Sequence, residues 1–335
     1  MTKSINIAIN GFGRIGRSLF RLLIENENIN VVAINDIADA KTLAHLLKYD
    51  SIHGVLEANI SSEENKLLVN GNSIPVLNAG TTQEINWKPY KVDIVVEATG
   101  KFKTYKDLEG HLENGAEKVI LSVPPQDETI KMVVLGVNDN ILDGSEKIVS
   151  NASCTTNNAA PMLKLIHENF KVEQAYITTV HSYTSDQSLH DKPHKDLRRS
   201  RAAAQSIIPT TTGAAKALTG IFPDISDVIG GCGIRVPVPN GSLTDMTLNV
   251  SQETSIAEIN ALFKNASETS LKGIMSYTED PIVSIDINHN PYSCVFDAQM
   301  TSVIGGKLVK LIGWYDNEIG YSNRLIDLIS VLTHK

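Results

Sequence analysis

Residues 5–9 read as a short strand, and Gly11-Phe12-Gly13-Arg14-Ile15-Gly16 follows one residue later. Residues 14–24 then carry Ile15, Leu19, Leu22 and Leu23 at helical spacing. A strand, a G-x-G-x-x-G turn and a helix, in that order, restrict the fold more than any other feature of the chain. Gly11 permits the tight turn, Gly13 lets backbone approach a pyrophosphate, and Gly16 lets the helix pack on the strand. Arg14 and Ile15 open the helix, whose N-terminus favours negative charge. Asp36 ends the next predicted strand, residues 31–34, twenty positions after Gly16. A carboxylate there accepts hydrogen bonds from an adenosine ribose and repels a 2′-phosphate, which points to NAD rather than NADP. The competing readings are a ligand-free glycine turn and, for Asp36, a cap on the helical pattern that follows it.

Further runs at 93–97, 118–121 and 132–135 alternate with helical patterns. This predicts an α/β domain with a Rossmann-type, doubly wound parallel sheet. Asn70-Gly71-Asn72, between residues 67–69 and 74–77, predicts an inserted hairpin. After Cys154 the strand candidates lengthen and take a period of two, at 175–180, 245–250, 281–286 and 307–312. They predict a second, α+β catalytic domain with a mixed, largely antiparallel sheet. The expected boundaries are 1–152 for the NAD-binding domain, joined by a C-terminal helix at 316–335, and 153–315 for the catalytic domain. Residues 181–206 are polar, basic and too long for an ordinary connection, and loops of that length in compact proteins are usually functional.

Composition narrows the function. A chain of 335 residues is long enough for two cores. Its net charge of -8 gives no support to bulk attraction for nucleic acid. The basic run at 190–201 lacks interleaved aromatics, so a solvated or subunit-facing segment is expected there, not a nucleic-acid site. No apolar run approaches membrane-spanning length, and Met1-Thr2-Lys3-Ser4-Ile5 lacks the apolar core of a signal peptide. The three cysteines, Cys154, Cys232 and Cys294, are odd in number and show no metal-ligand spacing. The expectation is no disulfide framework, no metal and a cytoplasmic home.

Cys154 lies in "SNASCTTN", between an apolar run at 147–149 and a helical pattern. Either Ser153 or Asn157 is the candidate cap. Pro161 means that the regular helix starts near it or is kinked there. Both options leave Cys154 on the N-terminal side, where orphan amides and the helix dipole favour a thiolate. A buried structural cysteine is the competing reading. His181, at the end of a predicted strand in "HSYTSDQ", is the best of nine histidines as its base. An imidazolium there would also stabilise the thiolate. Arg235 follows a glycine cluster, where a structural ion pair is its plainer reading.

With these residues in place, the chain resembles the phosphorylating glyceraldehyde-3-phosphate dehydrogenase family over almost its whole length. The marks are "INGFGRIGR", "LLKYDSIHG", "SNASCTTN", "HSYTSDQ", "PHKDLRRSRAAAQSIIPTTTGAAKAL", "IRVPVPNGS" and "WYDNEIGYSNR". The resemblance implies a homotetramer that uses NAD, glyceraldehyde 3-phosphate and inorganic phosphate, with Cys154 as nucleophile and His181 as base. It implies Arg14 and Ile15 by the pyrophosphate, Asp36 at the ribose, Ser122 and Asn317 beside the rest of the cofactor, and Tyr321 flanking the nicotinamide. Thr184 and Arg235 would hold the substrate phosphate, while Ser153, Thr155, Thr212, Gly213 and Arg199 would form anion sites that also serve inorganic phosphate.

Three positions depart from the family pattern. An Arg usual near residues 77–87 is missing, with Gly80 near its place. Asn158 stands where a second cysteine is usual, and Lys192 precedes Pro193 where NAD-specific members commonly carry an apolar residue. Erythrose-4-phosphate dehydrogenase is the nearest alternative, and Thr210-Thr211-Thr212-Gly213 favours a phosphate site over it. A binding protein with an adhesin or RNA-binding role is an alternative of another class.

Overall fold

The computed structural model describes residues 4–334, so Met1, Thr2, Lys3 and Lys335 lie outside the described residues. Two compact units divide them. The first holds residues 4–133, 140–152 and 322–334, and the second holds 134–139 and 153–321. Residues 134–139 and 316–321, read from the sequence as part of the first domain, thus belong with the second unit.

In the first unit β1 (Ile5–Asn10) leads into α1 (Arg14–Leu23), β2 (Ile29–Asn35) and α2 (Ala40–Lys48). A small ribbon, β3 (Tyr49–Asp50) with β4 (Gly54–Val55), precedes three strands, β5 (Ile60–Glu63), β6 (Lys66–Val69) and β7 (Asn72–Leu77). Then come β8 (Ile94–Glu97), α3 (Tyr105–Glu113), β9 (Lys118–Leu121), β10 (Lys131–Met132) and β11 (Ile148–Ser150). The sheet order is β10-β11-β9-β8-β1-β2-β7-β6-β5. Strands from β10 to β7 run parallel, and β6 and β5 continue as the antiparallel insertion. Ile7, Ala8, Ile9, Val95 and Val96 are fully buried, as continuous apolar runs in a parallel sheet must be.

The strand order reverses about β1, which has β2 on one side and β8 on the other. Ligands of such sheets bind in the crevice outside the strands' carboxyl ends at this point. Of the run at 132–135 only Met132 lies in a strand, as the end of β10. Val133 N still donates to Ser150 O, but at Val134 the chain turns, its amide held by Asn138 Oδ1 at 2.7 Å. The cap of α2 is Asp39, which accepts Thr42 N at 2.7 Å, so Asp36 is not spent on that helix.

The second unit runs α4 (Cys154–Phe170), β12 (Val172–Ser182), β13 (Ile208–Thr210), α5 (Gly213–Ile221), β14 (Ile229–Val236), β15 (Ser242–Val250), α6 (Ile256–Glu268), β16 (Met275–Thr278), β17 (Cys294–Asp297), β18 (Ser302–Ile304) and β19 (Leu308–Tyr315). The last helix, α7 (Ile319–His334), starts in this unit, and its residues from Ser322 belong with the first. The sheet order is β13-β14-β12-β15-β19-β17-β16, with β18 on β19. Only β12–β14 and β16–β17 are parallel pairs, so the sheet is mixed and largely antiparallel. β15 alternates buried and half-buried residues along its length, and α4 packs over β12, β15 and β19.

The strand expected at 281–286 does not form. Asp286 Oδ2 accepts Val283 N at 2.8 Å and closes a short 3-10 turn, Ser284–Ile287. Val283 and Ile285 point into solvent, so the apolar alternation there had no sheet to join.

Candidate active site

Ser153, not Asn157, caps α4. Its backbone is extended and its Oγ accepts Thr156 N at 3.1 Å, while Asn157 Nδ2 returns to Ser153 O at 3.0 Å. The helix runs through Pro161 to Phe170. Cys154 is therefore the first residue of a long helix, among its orphan amides and at the positive end of its dipole.

His181 lies near the end of β12, in register with Arg235 on parallel β14. His181 Nε2 is 3.5 Å from Cys154 Sγ. On the other side of the ring, Nδ1 is 2.7 Å from Ser182 O and 2.5 Å from Arg235 Nη1, which also donates to Ser182 O at 2.9 Å. The Tyr315 ring meets His181 edge-on, with centroids 5.9 Å apart, and its hydroxyl joins Thr155 Oγ1 at 2.8 Å and Thr179 Oγ1 at 2.9 Å.

Burial pushes the Cys154 thiol up, and the Arg235 charge with the Thr155 hydroxyl and amide pulls it back without reversing the shift. Burial, then Arg235, depresses His181 to about 3. The resting pair is a neutral thiol and a neutral imidazole. The imidazolium expected from the sequence is disfavoured, because it would place a second cation, poorly solvated, beside Arg235. Stabilising a thiolate falls to Arg235 and the helix N-terminus.

The anion candidates form distinct groups in this unit. Thr184 Oγ1 donates to Asp186 Oδ1, and Arg199 Nη1 donates to Asp186 Oδ2 at 2.8 Å. Arg199 also reaches Thr210 Oγ1 at 2.9 Å and Thr211 O at 3.1 Å. Burial works against ionisation of Asp186, yet Thr184, Arg235 and Arg199 hold its carboxyl below the usual range. Asp186 thus ties Thr184, Arg199 and Arg235 into one charged group. Thr212 caps α5 by accepting Ala214 N at 3.2 Å, and a Cβ at Gly213 would meet nothing within 4 Å. The Thr155 hydroxyl meets Tyr315 as well, so both its hydroxyl and its amide stand beside the Cys154 sulfur at the helix start.

In the first unit, a Cβ at Gly11 would stand 2.6 Å from Thr99 N, and one at Gly16 would stand 2.2 Å from Gly11 O. A Cβ at Gly13 would meet nothing within 4 Å, and Gly13 caps α1 without a side chain. The start of α1, with Ile15 half-buried in its first turn, therefore opens on space that fits a pyrophosphate. Asp36 Oδ2 accepts Phe12 N at 2.7 Å and Oδ1 accepts Ala38 N at 2.9 Å. Each oxygen keeps a second acceptor position for a ribose hydroxyl.

Arg14 is turned to Asp50, with bonds of 2.6 and 3.2 Å. Burial opposes ionisation of Asp50, but the His53 amide, Arg14 and the Ile52 amide outweigh it and hold the carboxyl well below the carboxylate range. Ser122 is buried just after β9, its amide on Glu97 O at 3.0 Å. In the second unit, Asn317 Oδ1 accepts the Ser182 and Ser242 hydroxyls, both at 2.9 Å, which turns its amide nitrogen away from them. Tyr321 is buried in the first turn of α7.

Two family descriptions match the chain: "Glyceraldehyde 3-phosphate dehydrogenase, NAD binding domain" over residues 5–105 and "Glyceraldehyde 3-phosphate dehydrogenase, C-terminal domain" over 153–317. The chain is 50% identical to glyceraldehyde-3-phosphate dehydrogenase 1 of Bacillus cereus, over 100% of this chain and 99% of that protein. It is 50% identical to glyceraldehyde-3-phosphate dehydrogenase of Geobacillus stearothermophilus, over 99% of each, and 51% identical to that of Thermotoga maritima, over 97% of this chain and 98% of that protein. The chain belongs to the glyceraldehyde-3-phosphate dehydrogenase family. It is an NAD-dependent oxidoreductase.

Within this dehydrogenase family, the departures have local consequences. Asn158 is buried and its Nδ2 donates to Ser293 O and Trp314 O, both at 3.2 Å, tying α4 to the β19 side. Gly80, near the place of the missing Arg, donates its amide to Glu84 Oε2 at 3.2 Å, and the Lys101 ammonium lies 3.5 Å from its carbonyl. Tyr315, Asp186, Ser182 and Ser242 were not singled out from the sequence. Asp186 and Ser182 stood inside "HSYTSDQ", and Tyr315 inside "WYDNEIGYSNR". Strand periodicity marks which positions face inward, not which inward hydroxyl meets which ring.

Proposed function

We propose that the chain oxidises glyceraldehyde 3-phosphate with inorganic phosphate to 1,3-bisphosphoglycerate, in glycolysis or gluconeogenesis. The observation that carries this is the Cys154 sulfur at the start of α4, 3.5 Å from His181 Nε2. Cys154 Sγ bonds to the aldehyde carbon as its proton passes through His181 Nε2 to the carbonyl oxygen, giving a hemithioacetal. The helix-start amides stabilise the oxyanion on the way. Bound NAD supplies the hydride acceptor. His181 Nε2 takes the hydroxyl proton as the hydride leaves, and Cys154 then carries a thioester. Phosphate attack at the thioester carbon releases the acyl phosphate and the thiolate. The residues of the first unit that would hold NAD are Gly11, Gly13, Arg14, Ile15, Gly16, Asp36 and Ser122; those of the second are Asn317 and Tyr321.

The base role needs a bare Nε2, and hence a hydrogen on Nδ1 directed to Ser182 O. Arg235 Nη1 competes for Nδ1 in the resting state. A substrate phosphate on Arg235 offsets its charge and raises the proton affinity of His181, so the substrate readies its own base. Leu189, Leu197 and Ile207 are 69%, 81% and 68% exposed along the long loop, which supports a subunit-facing role and a homotetramer. Three free cysteines fit a cytoplasmic setting. Among the described residues, no helix is long and apolar enough to cross a membrane.

Purified protein assayed with glyceraldehyde 3-phosphate and with erythrose 4-phosphate, each with and without inorganic phosphate, tests the proposal. Phosphate-dependent turnover of the triose is expected to dominate. Preference for the tetrose, or turnover indifferent to phosphate, would overturn it.

A further inference from the structure

The first unit contains a buried polar relay that the chemistry above leaves unused. Trp87, His111 and Glu97 are fully buried, and Asn10 is 1% exposed. Trp87 Nε1 can only donate, and it donates to His111 Nδ1 at 3.0 Å. The hydrogen of the neutral ring is thereby assigned to Nε2, which faces Glu97 Oε2 at 3.2 Å. Asn10 Nδ2 donates to the same oxygen at 2.5 Å. The other oxygen, Oε1, accepts Thr99 N at 2.8 Å and the Thr99 hydroxyl. An ionised carboxylate offers about four acceptor positions, and all of them are taken. The relay continues through Asn35, which donates to Asn10 Oδ1 at 2.7 Å and to Ala79 O at 3.1 Å, and accepts Ala79 N at 2.9 Å.

Its placement is specific. Asn10, Asn35 and Glu97 end β1, β2 and β8, and Asn10 and Glu97 are register partners across the point where the strand order reverses. Thr99, which Glu97 grips by two bonds, is the residue that Gly11 approaches so closely that a Cβ would clash. The first glycine of the dinucleotide turn therefore rests on a segment whose position Glu97 sets. Burying a carboxylate is unfavourable, and an apolar side chain would fill the space without that penalty. It would leave the Thr99 and Asn10 donors unmet at the carboxyl ends of the strands.

We infer that Glu97 and His111 are positioning residues for the cofactor. Through Thr99 they fix the Gly11 turn, and through Asn10 and Asn35 they fix the Ala79 segment, setting NAD affinity without touching NAD. The inference rests on the reading that the dinucleotide lies on the turn from Gly11 to Gly16.

The test compares His111→Leu with His111→Gln. A glutamine can accept from Trp87 and donate to Glu97, whereas leucine can do neither. In calorimetric titration with NAD, His111→Leu is expected to raise Kd at least about tenfold and His111→Gln to stay within about threefold of the unmodified protein. The KM for the aldehyde at saturating NAD should stay within about twofold in both. Equal Kd in the two variants, an unchanged Kd in the leucine variant, or a parallel rise in both KM values would overturn the inference. If His111→Leu does not fold, Thr99→Val serves instead. It removes the hydroxyl's bond to Glu97 and its acceptance of Lys101 N while keeping the Thr99 amide on Glu97, and an unchanged Kd there is equally fatal. Gly13→Val separates the two levels. If it too binds NAD normally, the cofactor-site reading fails. If it alone loses NAD, that reading stands and the relay's role falls.

Discussion

Arg235 Nη1 stands 2.5 Å from His181 Nδ1, because the two residues are register partners on parallel strands β14 and β12. The guanidinium is the second cause, after burial, of the depressed His181 pKa. Arg235→Leu should therefore raise the His181 pKa from about 3 toward its ordinary value near 6.5. It should also raise the KM for the phosphorylated aldehyde. NMR titration of the His181 ring checks the first effect. An unmoved pKa would mean that the charge does not reach the ring.

The same shift makes stability depend on pH. His181 titrates near 6.5 in the unfolded chain and near 3 in the folded one. Between these values the unfolded chain binds the extra proton. The contribution is complete above pH 6.5 and is lost as pH falls toward 3. At pH 5 the loss is about 2 kcal/mol. Urea unfolding at pH 7 and pH 5 should show that His181→Asn loses less stability over this interval than the unmodified protein. Equal losses would remove His181 as the source.

Cys154→Ser should abolish nearly all turnover and leave the fold and NAD binding intact, since a hydroxyl is a far weaker nucleophile than a thiolate. Iodoacetamide should modify Cys154 ahead of Cys294, whose thiol is fully buried and pushed up strongly. A serine variant retaining about a tenth of the activity would be incompatible with covalent catalysis at this position.

Cofactor choice sets Asp36 against Lys192. The Asp36 carboxylate is held by the Phe12 and Ala38 amides and is directional. Lys192 is exposed, so screening leaves it roughly 0–1 kcal/mol. NAD should be preferred by at least about tenfold in kcat/KM, or about 1.4 kcal/mol, and Asp36→Ala should narrow the gap. Comparable kcat/KM for NADP and NAD in the unmodified protein would show that this ranking is wrong.

Where the sequence could be read, local chemistry was sufficient. The Gly11–Gly16 turn, the strand before it and the helix after it each have their own pattern, and the parallel sheet follows from their repetition. Ser153 and Asn157 could not be separated, because both are good caps and the choice rests on which backbone is extended. The run at 281–286 misled because alternation is necessary for a strand but a partner strand is also required. The electrostatics of His181 were least legible. They depend on Arg235, 54 residues away in sequence, and on register between strands that no local pattern encodes.

In the proposed reaction Cys154 carries the substrate as a thioester while His181 handles the proton. Mass spectrometry of the protein incubated with glyceraldehyde 3-phosphate and NAD, with phosphate left out, tests it most directly. The expected result is one acyl group per subunit on Cys154, formed with a matching burst of NADH and discharged when phosphate is added. NADH formation with Cys154 unmodified, or an acyl group on any other residue, would contradict the account.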